Sequence, residues 1–261
     1  MPNRIQQAFQ SKKNLLNIYF TAGYPRLPDT VPLIEALSAA GADLIEIGMP
    51  FSDPLADGPV IQQSSAAALK NGMSLPVLFE QLKNIRQTVP DTPILLMGYL
   101  NPVMQFGVEN FCREAAAVGA DGVILPDLPL DDYVAEYQEI FRRHGLRPVF
   151  LITPQTAPER IRRIDELTDS FLYLVSGPGI TGGANTQAAG VQDAYFERIE
   201  AMQLRNPRLI GFGIADKASF QNACRHAEGA IIGSALIRAL GEAEGDDAPA
   251  AATAFVASIL T

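Results

Sequence analysis

Cysteine and histidine are scarce in this chain, with two of each among 261 residues, and tryptophan is absent. Cys112 and Cys224 lie in alanine-rich, helix-like stretches, which fits small buried hydrophobes in a reducing compartment and not a disulfide framework. His144 and His226 stand near helix ends beside arginine, where a solvated or end-capping role outweighs catalysis, and a zinc cluster is not expected. Basic residues are also short, 20 against 29 acidic, and the net charge of −9 repels nucleic acid and anionic membranes. Any phosphate-bearing ligand would have to be held by local dipoles. Nowhere do about eighteen apolar residues run together, and positions 1–13 hold no apolar core of signal-peptide length, so a cytoplasmic protein is expected.

What the chain does have is alternation. Short apolar runs at 15–20, 44–48, 94–99, 123–125, 148–152, 171–175, 209–211 and 230–232 alternate with helix-period segments, the pattern of repeated strand-helix units in a parallel sheet. Several of these runs are apolar throughout, as strands covered on both faces are. One design occurs twice, a helix stopped by glycine and followed at once by a strand: Ala39-Ala40-Gly41-Ala42-Asp43-Leu44 and Ala117-Val118-Gly119-Ala120-Asp121-Gly122. No G-x-G-x-x-G follows the first strand, and polar or glycine-rich residues follow nearly every strand, which favours a closed barrel over an open sheet with one switch point. The predicted fold is α/β, a single (β/α)₈ barrel over residues 1–261 with an extra N-terminal helix. The stretch 241–250 reads as a flexible link to a short last helix at 251–260.

Glu46 interrupts a strand otherwise made of leucine and isoleucine, a setting that does not suit an unpaired carboxylate. Burial would raise its pKa and make it a general acid/base; pairing with an unseen Arg or Lys is an equal reading of the position alone. Asp57 follows eleven residues on (57 − 46), in a loop punctuated by proline and glycine that can fold over the strand ends. Two carboxyl groups of unequal exposure would then face one ligand, one exchanging protons and the other staying an anion. Taken singly, Asp57 and Asp53 read better as turn residues.

Glycines end the last two strands, Gly211-Phe212-Gly213 and Gly233-Ser234, and Ser234 opens a helix-like run whose free N–H groups would bind phosphate without a cation. Tight turns and a serine cap explain the same residues, and both explanations can hold together. The segment Ser176-Gly177-Pro178-Gly179-Ile180-Thr181-Gly182-Gly183 has the composition of a lid. Tyr19, Tyr99, Tyr173 and Phe212 fall at or near strand ends and could line a flat apolar pocket, although each singly is more often core.

The run Glu46-Ile47-Gly48-Met49-Pro50-Phe51-Ser52-Asp53-Pro54-Leu55-Ala56-Asp57-Gly58-Pro59 resembles, in full, the signature of tryptophan synthase α chains. The likeness extends to Thr21-Ala22-Gly23-Tyr24-Pro25, Asn101-Pro102, Pro126-Asp127-Leu128-Pro129 and both glycine loops. It implies a retro-aldol cleavage of indole-3-glycerol phosphate, with Glu46 and Asp57 catalytic and with no cofactor in this chain. It also implies Tyr19, Tyr99, Ile152, Tyr173, Thr181 and Phe212 around the substrate, and Gly182, Gly213, Gly233 and Ser234 at the phosphate. The implied partner is a β subunit carrying pyridoxal phosphate in an α₂β₂ heterotetramer, faced by Asp53, Pro54, Asn101 and Pro129. Family members often place a basic residue after the serine of the sixth-strand loop, where this chain has Gly177-Pro178. Two other readings remain beside this one, a free-standing lyase that releases indole and a chain that acts chiefly as allosteric activator of the β subunit.

Overall fold

The structure, a computed structural model, describes residues 3–175, 186–211, 213–243 and 247–261, with backbone alone at 186–193. Eight strands run β1 (Leu15–Thr21), β2 (Leu44–Gly48), β3 (Ile94–Met97), β4 (Gly122–Ile124), β5 (Arg147–Ile152), β6 (Leu172–Val175), β7 (Arg208–Gly211) and β8 (Gly229–Ile232). Each pairs in parallel with the next, and β8 pairs with β1, closing the barrel. Parallel neighbours need a crossover, and helices such as Thr30–Ala40, Pro59–Lys70 and Pro158–Leu167 supply it while covering the outer face. The fold is the (β/α)₈ barrel that the alternation predicts. No helix among the described residues is long and apolar enough to cross a membrane.

Because side chains alternate along a strand, the barrel sorts its residues into two layers. Ile18, Phe20, Ile45, Ile47, Leu96, Leu172 and Ile232 pack outward against the helices. Leu15, Leu44, Leu95, Ile124, Val149, Leu209 and Ile231 fill the interior. The helix Arg4–Ser11 plugs the amino-terminal end: Ile5 joins the interior cluster, and Phe9 meets Phe171 at 5.8 Å between ring centroids. Asn3 starts that helix with a reciprocal capping box to Gln6. The extra N-terminal helix is thus part of the core.

Gly41 and Gly119 take φ of +103° and +79°, as a glycine that ends a helix in the left-handed region does. The aspartate that follows each has a role the sequence does not declare. The Asp43 carboxylate accepts from the Leu16 N–H at the foot of β1 at 2.8 Å, and Asp121 accepts from the Ile94 N–H at the foot of β3 at 2.9 Å. Glu228 does the same for the Arg208 N–H of β7, at 2.7 Å. An acid at the start of one strand therefore fixes the start of the preceding one.

Strand boundaries shift by a single residue at several ends, and two boundaries differ by more. β3 stops at Met97, not 99, because Tyr99 turns the chain into the helix Leu100–Phe106, whose Leu100 N–H is held by both Asp127 oxygens at 2.9 and 3.0 Å. The last helix spans Ala248–Leu260, with a proline in its first turn, and takes up part of the predicted link. It begins early because Ala248 is already buried, on the side that carries Ala252, Val256 and Ile259 into the core. Both cysteines are free, and burial pushes the Cys112 thiol up to about 12. His144 bonds Glu109 at 2.7 Å and His226 stacks on Phe196, so neither approaches the barrel mouth.

Candidate active site at the carboxyl ends of the strands

Glu46 lies on the interior face of β2, in register with Tyr19 of β1 and Leu95 of β3. It is fully buried. Its Oε1 accepts from Asn17 Nδ2 at 2.6 Å, while Oε2 is buried without a partner. Among the described residues no Arg or Lys pairs with it, which goes against the paired-ion reading of this position. Loss of hydration raises its pKa from 4.5 to about 8, against the opposing pull of the Asn17 donor. At neutral pH the group is mostly a neutral acid with one oxygen free.

Asp57 stands half-buried in the loop after β2. Its Oδ2 accepts from the Tyr99 hydroxyl at 2.8 Å, and that hydroxyl accepts from the Ala56 N–H at 3.0 Å. Phe51 lies against the Tyr99 ring with centroids 5.4 Å apart. Burial raises the Asp57 pKa also, opposed by the Tyr99 donor. The rise at Glu46 is the larger, and the two carboxyls still differ.

Tyr19 and Tyr173 are buried, and each hydroxyl is pushed upward by desolvation first and then by the charges of both Asp57 and Glu46, so both acids lie within electrostatic reach of each ring. Room for these rings comes from glycine. A Cβ on Gly48 would lie 2.2 Å from the Tyr19 hydroxyl, and one on Gly211 would lie 2.4 Å from the Tyr173 ring. A narrow cavity of about 10 Å³ opens between Tyr19, Met49, Asp57, Ser65, Gly98 and Tyr99. A larger cleft of about 520 Å³, lined by Gln6, Asp169, Arg208 and Glu228 among others, lies at the opposite end of the barrel, where Arg208 and Glu228 pair with each other.

One expected pocket residue is misassigned. Ile152 is fully buried in the layer between barrel and helices, because residues one apart in β5 face opposite ways. Its neighbour Leu151 packs against the interior cluster and is the β5 side chain on the pocket side. Asn17 was also missed. Its sequence signal, a polar residue inside an apolar strand, equals that of Glu46.

Across the mouth, Gly233 is the N-cap of the helix Ser234–Glu242 and offers no side chain to cap it. Ser234 is its first residue, not its cap, and the free N–H groups at the start carry the positive end of the helix dipole. Gly233 also packs on Tyr19, since a Cβ there would stand 3.1 Å from the ring. Gly213 is exposed with φ +77°. Thr181, Gly182, Phe212 and the whole 176–183 segment lie outside the described residues. Asp53, Asn101 and Pro129 are exposed and Pro54 half-buried, all in loops or helix starts that follow strands at this rim. Ser52 hydrogen-bonds the Asp53 carboxylate. Leu55 and Met104 add apolar surface there, 91% and 54% exposed.

Fold and site together define a (β/α)₈ barrel with an enclosed, proton-bearing glutamate on β2, a tyrosine-held aspartate in the loop after it, and a helix N-terminus that opens on glycine after β8. The family model for the tryptophan synthase alpha chain matches residues 5–258. The tryptophan synthase alpha chain of Flavobacterium psychrophilum is 56% identical over 240 residues, covering 92% of this chain and 94% of the relative. That of Phocaeicola vulgatus is 54% identical over 250 residues, covering 95% and 96%. The crystal structure of tryptophan synthase subunit alpha from Legionella pneumophila superposes with a TM-score of 0.89 at 34% identity, covering 99% of this chain and 97% of that one. The tryptophan synthase complex from Pyrococcus furiosus gives 0.84 at 37% identity, covering 95% and 98%. The chain belongs to the tryptophan synthase alpha chain family.

Proposed function

We propose that the chain is a carbon-carbon lyase that cleaves indole-3-glycerol phosphate into indole and glyceraldehyde 3-phosphate. Glu46 carries the reading: an enclosed carboxyl with a pKa near 8 and one unpaired oxygen is an acid poised to give and take a proton at neutral pH. Glu46 donates to C3 of the indole. The adjacent glycerol hydroxyl then loses its proton back to Glu46, the bond from C3 to that carbon breaks, and the electron pair returns to the ring. The carbon leaves as an aldehyde, and proton count is conserved. While C3 is tetrahedral the ring nitrogen carries positive charge, and the Asp57 anion stabilises it more than it stabilises the neutral indole. These steps need proton movement only, so the chain is expected to work without a cofactor of its own.

The phosphate would rest on the N–H groups at Gly213, Gly233 and Ser234, with Gly182 beside them; an uncapped helix start suits an anion in a protein of net charge −9. Tyr19, Tyr99, Tyr173 and Phe212 would enclose the indole, with Leu151 in place of Ile152, and Thr181 would belong to a closing segment. Admitting a ring this size requires the Asp57 loop to yield, since the cavity under it holds about one water. The apolar Leu55 and Met104 beside Asp53, Pro54, Asn101 and Pro129 favour a docked chain over a free-standing lyase. The partner would be a β subunit bearing pyridoxal phosphate, in an α₂β₂ assembly in the cytoplasm that receives the indole. The purified chain, mixed with indole-3-glycerol phosphate, should release indole, and faster with a β subunit present. No indole under either condition would overturn the proposal.

A further inference from the structure

We infer that Asn17 is a positioning residue for Glu46, fixing which carboxyl oxygen carries the transferable proton; the inference rests on the lyase reading for its catalytic meaning. Asn17 sits on the interior face of β1, fully buried, one alternation below Tyr19. Its Nδ2 donates to Glu46 Oε1 at 2.6 Å, and among the described residues no other side chain hydrogen-bonds the glutamate. An oxygen that is accepting from an amide is the poorer seat for a proton. The proton therefore rides on Oε2, the unpartnered oxygen, which is the one left to face a substrate.

The rest of the surroundings cannot supply this function. Leu44 and Leu95 flank Glu46 from its own strand and from β3, and both are apolar and fully buried. The titratable groups that face it are the Tyr19 hydroxyl from β1 and the Tyr173 hydroxyl from β6, with Asp57 acting on both tyrosines from the loop after β2. Burial raises both tyrosines, so neither serves as a charge partner at neutral pH, and a carboxyl such as Asp57 cannot neutralise another. Asn17 alone favours the ionised form of Glu46, and it opposes the desolvation that favours the acid. Its own Oδ1 is buried without a partner, an arrangement that costs stability and that a purely structural asparagine in an apolar strand would not keep.

The test compares Asn17→Leu, which keeps the volume and removes the donor, with Asn17→Asp, which keeps the shape and brings a second acid. The Glu46 carboxyl is titrated by infrared spectroscopy in the free chain, its band assigned by disappearance in Glu46→Gln, and folding is checked by circular dichroism. The Leu variant should move the Glu46 midpoint upward by about one pH unit, the size expected for losing a hydrogen bond to a charged group. The Asp variant should move it further, because two carboxyls that share a site resist ionising together. With indole-3-glycerol phosphate, kcat should fall about tenfold or more in Asn17→Leu while KM changes little, as for an interaction realised in the transition state. Folded variants with an unmoved midpoint would overturn the inference, and so would a midpoint that moves with kcat unchanged. If neither the parent chain nor the variants release indole but the midpoints shift as stated, the lyase reading fails while the role of Asn17 toward Glu46 stands.

Discussion

The Tyr99 hydroxyl donates to Asp57 Oδ2 at 2.8 Å while accepting from the Ala56 N–H at 3.0 Å, so one phenol orients the Asp57 carboxylate and anchors the loop that carries it. The ring comes from just beyond β3 and the loop from beyond β2, and the bond joins two neighbouring strand ends across the mouth. Tyr99→Phe should destabilise the fold by about 2 kcal/mol, measured by urea denaturation, for two lost hydrogen bonds. It also removes a donor that favours the Asp57 anion, so the Asp57 pKa rises further. The acidic limb of the kcat/KM profile should therefore shift to higher pH, and a profile superimposable on the parent's would show that Tyr99 does not tune Asp57.

Glu46 should weaken the fold in alkali. Its pKa is near 8 in the folded chain and 4.5 when exposed, so between these values the native state holds more protons than the unfolded one, and stability falls as pH rises. Below 4.5 the penalty is absent, and above 8 it is complete. Glu46→Gln abolishes it, so the variant should be of similar stability near pH 4 and more stable than the parent by a few kcal/mol at pH 8 to 9, read by thermal or urea unfolding. A constant difference across that window would contradict the burial argument.

Gly48 is where the fold and the site compete for space. A methyl group there falls 2.2 Å from the Tyr19 hydroxyl, and the ring is enclosed and cannot retreat freely. Gly48→Ala should cost about 1–3 kcal/mol of stability through overpacking and reduce kcat, because Tyr19 is displaced from its place beside Glu46 and Asp57. The double variant Gly48→Ala with Tyr19→Phe should recover part of both losses. No recovery would mean that the contact is not the cause.

At the phosphate end, Ser234→Asp separates binding from folding. A carboxylate in the first turn of Ser234–Glu242 favours the helix by about 0.3–1 kcal/mol, yet it occupies the positive end that the substrate phosphate would use. KM should rise by about two orders of magnitude with kcat much less affected, and the melting temperature should hold or increase. An unchanged KM would remove the helix start from the substrate site.

Much of this was readable in the residues. The eight apolar runs became eight strands because a strand covered on both faces needs an unbroken apolar composition, and Glu46 stood out by breaking one. Asn17 broke another in the same way, but an amide carries no charge and attracts less notice than a glutamate. Ile152 was misassigned because a shift of one residue reverses the facing of every strand side chain, and the sequence of β5, apolar on both sides, gives no cue to choose between it and Leu151. The bonds of Asp43 and Asp121 to the preceding strand depend on register, which local sequence does not encode. Gly48 carried no signal of its own beyond ending a strand, and only the position of the Tyr19 ring shows that it makes room for a side chain.

The claim at the centre is that the glutamate buried in β2 supplies the proton that frees the ring from its side chain. The direct measurement is single-turnover release of indole from indole-3-glycerol phosphate by Glu46→Gln at neutral pH, with circular dichroism confirming the fold. An amide of the same shape cannot exchange that proton, so indole release should fall by about 10²–10⁴-fold or more while substrate still binds. A folded Glu46→Gln chain that forms indole at close to the parent rate would contradict the account.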